Sequence, residues 1–214
     1  IVSIDFADTT APIVEKVDFD LTEAGYCLCI VNTGGNHADL TDDYASVPAE
    51  MRSIAALMGK NVLRVCDEED FMGRISYLRT LVGDRAIMRA MHYFAENKRV
   101  YAQKEALLNG RIDDYLALVT ASGNSSFKFL QNVYTTQNVE EQGISLALAV
   151  TERFGAVCRV HGGGFAGTIQ AYIPTERVAD YKKAIEDIFG DNACNVYTIR
   201  PYGAAVVTTE EIKG

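Results

Sequence analysis

Residues 161–167, His-Gly-Gly-Gly-Phe-Ala-Gly, are the stretch in which residue type and spacing come closest to chemistry. Gly162, Gly164 and Gly167 fit G-x-G-x-x-G, which cradles a pyrophosphate when a strand precedes it and a helix follows. A strand does precede, at Ala156–Val160. Thr168–Ile173 then alternates with period two, so the sequel is a second strand and the dinucleotide reading fails. Gly162 and Gly167 also match the ends of G-x-x-x-x-G, but Thr168 stands where a phosphate-binding loop needs lysine. What survives is a glycine-rich turn between antiparallel strands. A plain hairpin explains one or two glycines, because glycine takes positive φ without steric cost. Four within six residues also suit close approach of another backbone or an anion, with successive N–H groups lining a concavity.

The remaining polar residues offer less. His37 and Asp39 sit two apart in a loop and His92 lies mid-helix; no H-x3-H, H-E-x-x-H or cysteine cluster joins them, so a protein-built metal site is not expected. Ser122-Gly-Asn-Ser-Ser126 follows a helix, and its composition reads as helix-stop and capping chemistry. Asp42-Asp43 and Asp67-Glu-Glu-Asp70 are expected as solvated helix starts that suit the helix dipole.

The elements that must position the turn follow from the apolar pattern. Tyr26–Val31 is a continuous apolar run flanked by Gly25 and the Asn32–Asn36 turn cluster, a buried strand. Ile1–Asp5 and Ile13–Phe19 have strand character. Ser46-Val-Pro48 should open a helix, with Pro48 in the first helical position, and Gly59 should stop it. Helices are predicted over 84–108, 111–120, 139–154 (with Asn138 as N-cap) and 176–189; further strands over 195–199 and 204–208. The strand–helical insert–strand–strand–helix–strand order predicts an α+β, ferredoxin-like split βαβ sheet with a long helical insertion. Its helices are expected on one face of the sheet.

Twenty basic against 29 acidic residues give a net charge of −9, without the basic face that a nucleic-acid phosphate backbone requires. No apolar run approaches the roughly 20 residues of a membrane helix. Five scattered cysteines and no visible secretory signal point to reduced thiols in the cytoplasm. Ile1 begins in mid-strand, so the chain is expected to be a piece of something longer.

Arg159-Val-His-Gly-Gly-Gly-Phe-Ala-Gly167 resembles the third motif of the GHMP kinases, and within them the galactokinases, whose usual form is R-M-T-G-G-G-F-G-G. Cys29-Ile-Val-Asn-Thr-Gly-Gly-Asn-His37 through Asp43-Tyr44 is similar to the galactokinase segment after the central strand. The Ala121–Ser126 region stands where that family carries a serine-containing turn. The likeness spans nearly the whole chain. Val160, His161 and Ala166 depart from the motif, and Ala166 excludes a glycine-only conformation at its position.

The resemblance implies a two-domain kinase that moves the γ-phosphate of ATP to the C1 hydroxyl of galactose, with Mg²⁺ on the nucleotide. It implies that residues 1–214 are the C-terminal domain and that the N-terminal catalytic and ATP-binding half is their partner. The catalytic aspartate is then expected upstream of Ile1, so the chain itself carries no catalytic residue. Tyr44 matches the tyrosine that lies against bound galactose; Gly162, Gly163, Gly164, Phe165 and Gly167 should lie near the nucleotide. Three alternatives remain: a related kinase for N-acetylgalactosamine or galacturonate, a non-catalytic sugar and ATP sensor, and a free-standing ferredoxin-like module.

Overall fold

The computed structural model describes residues 1–35 and 40–199. Its centre is a four-stranded antiparallel sheet of β3 (Tyr26–Asn32), β4 (Val157–Val160), β5 (Thr168–Pro174) and β6 (Cys194–Tyr197), in the spatial order β4-β5-β3-β6. Ahead of it, β1 (Val2–Asp5) and β2 (Ile13–Lys16) pair as a separate two-stranded antiparallel sheet. Each parallel pair of the large sheet, β3/β4 and β5/β6, is split by a strand between its members, which is the expected split βαβ order. The strand expected at 204–208 lies outside the described residues, as do His37 and Asp39.

Strand periodicity sorts the sheet's side chains onto two faces. On one, Cys29, Val31, Cys158, Val160, Ile169, Ala171 and Ile173 meet α5 (Gly143–Arg153) and α6 (Val178–Phe189) in a buried apolar core. On the other, Leu28, Val157 and Tyr172 meet Leu116 and Val119 of α4 (Ile112–Ser125). Helices therefore cover both faces, against the expected single layer: the insert reaches round to bury the alternate strand residues that the first layer leaves bare.

The insert runs through α1 (Thr41–Leu57), α2 (Glu68–Gly73), α3 (Ile75–Leu108) and α4. Gly83, at φ 80° and ψ 168°, breaks α3, so its second part begins at the expected residue 84. Three boundaries differ from expectation. First, α1 starts at Thr41 and carries Pro48 inside it; a mid-helix proline costs one backbone hydrogen bond, here offset by packing of Ile54 and Ala55 into the α1–α3 core. Second, α5 starts at Gly143 with Gln142 at its N-cap, not Asn138. Third, Ser122–Ser126 is no helix stop: α4 continues through Ser125 and closes in a π-helical turn at Ser126–Leu130. Gly123 faces β4 there, where an added Cβ would lie 3.0 Å from the Cys158 carbonyl oxygen, so the small residues serve close helix–sheet approach. Both acidic runs fall at helix starts as expected, with Asp67 capping α2 through the Asp70 N–H at 2.8 Å, but Asp43 in the first turn of α1 is half-buried rather than solvated.

Cys29, Cys158 and Cys194 are buried thiols, and burial pushes Cys158 up to about 12. Among the described residues no helix is long and apolar enough to cross a membrane.

Candidate functional site

The glycine turn joins β4 to β5 and is held from three sides. From its own strands, the His161 N–H donates to the Thr168 carbonyl at 3.0 Å. The Thr33 N–H and hydroxyl, at the end of β3, both donate to the Gly167 carbonyl at 2.8 Å. From α1, the Tyr44 hydroxyl donates to the Gly164 carbonyl at 2.9 Å, and its ring meets Phe165 edge-on with centroids 5.5 Å apart. From the segment after the π-helical turn, Asn132 grips twice. Its side-chain Nδ2 donates to the Gly163 carbonyl at 3.0 Å and its carbonyl accepts the Phe165 N–H at 2.5 Å.

These contacts explain why the central glycines must be glycines. A Cβ on Gly164 would fall 1.9 Å from the Asn132 carbonyl oxygen, and one on Gly163 would fall 2.7 Å from Cε1 of Tyr44. Gly162, Gly164 and Gly167 also take positive φ. Ala166 does not, in line with expectation, but Phe165 does, at φ 59°. That left-handed phenylalanine costs roughly 1–2 kcal/mol and persists because its ring is 4% exposed and wedged against Tyr44. His161, Gly162 and Gly163 are exposed, whereas Gly164 and Phe165 are buried. No acceptor among the described residues meets the N–H groups of Gly162 and Gly163. The exposed tip thus offers two backbone donors to an anionic oxygen or to another chain segment, on a base that cannot shift.

Tyr44 sits in the first turn of α1 rather than ahead of it. Partial burial, then the neighbouring Asp43 carboxylate, raise its pKa, so the phenol stays protonated and its hydrogen stays on the Gly164 carbonyl. Asp43 is itself anchored, accepting from Thr135 Oγ1 at 2.6 Å and Gln137 Nε2 at 3.0 Å. Beside these groups Thr33, Gly34, Leu40, Gly143, Phe165 and Ala166 line part of a cavity of about 610 Å³.

The structure therefore brings Tyr44 and the five predicted turn residues into one constellation. Sequence reasoning missed the roles of Asn132, Asp43 and Thr135. Asn132 carried no distinguishing signal, being one of three polar residues, with Lys128 and Gln131, between Phe127 and Tyr134. His161 donates through Nδ1 to Gln170 Oε1 at 3.1 Å, and Gln170 Nε2 donates on to Tyr172, which shares a bond with Tyr115 on the α4 face. No cluster of three His, Cys, Asp or Glu side chains fit for a metal occurs among the described residues.

No family model matches the chain. A galactokinase from Glaesserella parasuis serovar 5 (strain SH0165) is 31% identical over 164 residues, 76% of this chain and 41% of that protein. One from Haemophilus influenzae (strain ATCC 51907) is 31% identical over 158 residues, 74% and 40%, and one from Enterococcus faecalis 27% identical over 190 residues, 86% and 46%. Among solved structures, Lactococcus lactis galactokinase complexed with galactose superposes with a TM-score of 0.69 at 22% identity, covering 92% of this chain and 50% of that one. L. major mevalonate kinase in complex with R-mevalonate gives a TM-score of 0.52 at 14% identity, covering 95% of this chain and 50% of that one. The chain spans about two fifths to one half of these relatives, and the matched part is the C-terminal half of the galactokinases. The α+β fold is that of the corresponding half of these kinases.

Proposed function

We propose that this chain is the C-terminal domain of a galactokinase and works joined to an N-terminal half that carries the catalytic aspartate and most of the nucleotide site. The single observation that carries this reading is the glycine turn fixed against Tyr44, in a chain whose relatives are galactokinases along three quarters of its length. Phosphoryl transfer depends chiefly on positioning and charge stabilisation. Bound ATP would supply the transferred phosphoryl group, and Mg²⁺ would ride on its phosphates.

What the chain contributes is placement. The exposed Gly162 and Gly163 N–H groups donate to the nucleotide phosphates or to the loop that binds them, with Gly164, Phe165 and Gly167 as the fixed base. Tyr44 forms one wall of the sugar pocket. Because its hydrogen is given to Gly164, it serves the sugar through its ring rather than as a hydroxyl donor. The proposed partners are therefore galactose, ATP and the chain's own N-terminal half, in the cytoplasm.

The test compares the 214-residue chain alone with the chain joined to its upstream coding segment, supplied with ATP, Mg²⁺ and a panel of sugars. Galactose 1-phosphate is expected only from the joined protein. Turnover by the isolated chain would overturn the division of labour, and preference for N-acetylgalactosamine or galacturonate would overturn the substrate. Binding of both ligands without turnover would make the protein a sensor.

A further inference from the structure

Arg89 of α3 is 1% exposed, yet its guanidinium is charged. Such burial is costly unless the charge is paired and hydrogen-bonded, and here the bonds from Nη1 and Nε go to the two supports of the glycine turn. Nη1 reaches Ser46 Oγ at 2.8 Å and Glu50 Oε2 at 2.9 Å, both on α1, three and seven positions beyond Asp43. Nε reaches the Leu130 carbonyl at 3.1 Å, where the π-helical turn ends. The next residue, Gln131, is left-handed at φ 58°, and Asn132 follows it. One side chain thus ties the helix bearing Tyr44 to the segment bearing Asn132.

We propose that Arg89 is a positioning residue for phosphoryl transfer, fixing the glycine turn by joining its Tyr44 and Asn132 supports. The inference rests on the galactokinase reading above and deepens it. A purely structural side chain at this buried point would be cheaper if apolar. The directional guanidinium instead sets the distance between two elements that would otherwise slide. When Arg89 is lost, Glu50 keeps Arg85 on Oε1 at 2.5 Å and Ser46 keeps the Asp43 carbonyl at 2.7 Å, so Arg89→Met takes the donor from the Leu130 carbonyl and from Glu50 Oε2, the latter on a partly exposed carboxylate that water reaches. Among the described residues Asn132 Oδ1 has no hydrogen-bond partner, so Asn132→Leu removes one useful bond and no more.

Amide hydrogen exchange on the 214-residue chain reads the turn directly. Both Arg89→Met and Asn132→Leu are expected to speed exchange of the Phe165 N–H, held by the Asn132 carbonyl, by about tenfold, the loss of roughly one buried hydrogen bond. Arg79→Met removes the same charge from an exposed pair with Asp84 on the same helix and should change nothing there. In the joined protein, Arg89→Met should lower kcat by about tenfold or more while the KM for sugar moves less than threefold. Exchange within twofold of the parent in both variants overturns the proposal, as does an unchanged kcat alongside faster exchange. If the unsubstituted joined protein phosphorylates no sugar, the galactokinase reading falls, and the exchange result still decides whether Arg89 fixes the turn.

Discussion

The two faces of the large sheet are built on different physics. Toward α5 and α6, Cys29, Val31, Ile169, Ala171, Ile173, Tyr181 and Ile185 are all 0% exposed and form one continuous apolar layer. Toward α4 a smaller apolar cluster, Leu28, Val157 and Tyr172 against Leu116 and Val119, is flanked by a polar network that runs on to α3. His92 Nδ1 meets Ser125 Oγ at 2.9 Å, Ser122 donates to Glu96, Glu96 holds Arg99 and Arg159, and Tyr115 shares a 2.8 Å bond with Tyr172. Apolar burial is non-directional and stabilises almost any well-filled arrangement. Hydrogen bonds stabilise less but only at one geometry. The apolar face keeps the domain folded; the polar side sets where the glycine turn stands.

That contrast can be broken in order of expected effect. Ile173→Ala should cost about 3 kcal/mol, the usual range for truncating a fully buried isoleucine. It should appear as a lower urea midpoint with little change in slope, and exchange in the turn should slow or quicken only with global stability. Gly164→Ala strikes the other region: its Cβ meets the Asn132 carbonyl and a positive φ of 80°. A loss of about 2 kcal/mol is expected, with local opening of residues 163–167 exceeding the global loss. If Gly164→Ala proves neutral, the turn is not clamped and the comparison collapses.

Tyr44→Phe should be milder, about 1 kcal/mol for the bond to the Gly164 carbonyl, because the ring contact with Phe165 is kept. In the joined protein it should spare the sugar KM more than Tyr44→Ala does; equal losses in both would return the hydroxyl to the sugar. The smallest effect belongs to pH. Burial, opposed by Glu96, lowers the pKa of His92 below its ordinary 6.5. The unfolded chain then binds the proton first, so stability is full above about 6.5 and declines as the pH falls toward the lowered folded value. Urea titrations at pH 7.5 and 5.5 should show that decline, and His92→Gln should flatten its share.

The strands of the large sheet were legible because each combines an apolar face with glycine-bounded ends, as in Tyr26–Val31 and Thr168–Ile173. The π-helical turn was not: Ser122-Gly-Asn-Ser-Ser126 carries the composition of a helix stop, and only contact with β4 makes those small residues helical. Tyr44 and the glycine turn were found through motif resemblance, whereas Asn132 and Arg89 carry no local pattern that marks their role. Pro48 misplaced the start of α1 because its local rule was overridden by core packing.

The sequence by itself determined the strand order, the glycine turn and the likeness to the C-terminal half of galactokinases, since these depend on periodicity and on residues adjacent in the chain. Only the tertiary structure decided that α4 covers the second face, that Tyr44 gives its hydroxyl to Gly164, and that Arg89 joins the supports of the turn. Those contacts join residues 41 to 120 positions apart, and the direction of a hydrogen bond between such residues exists only once the chain has brought them together.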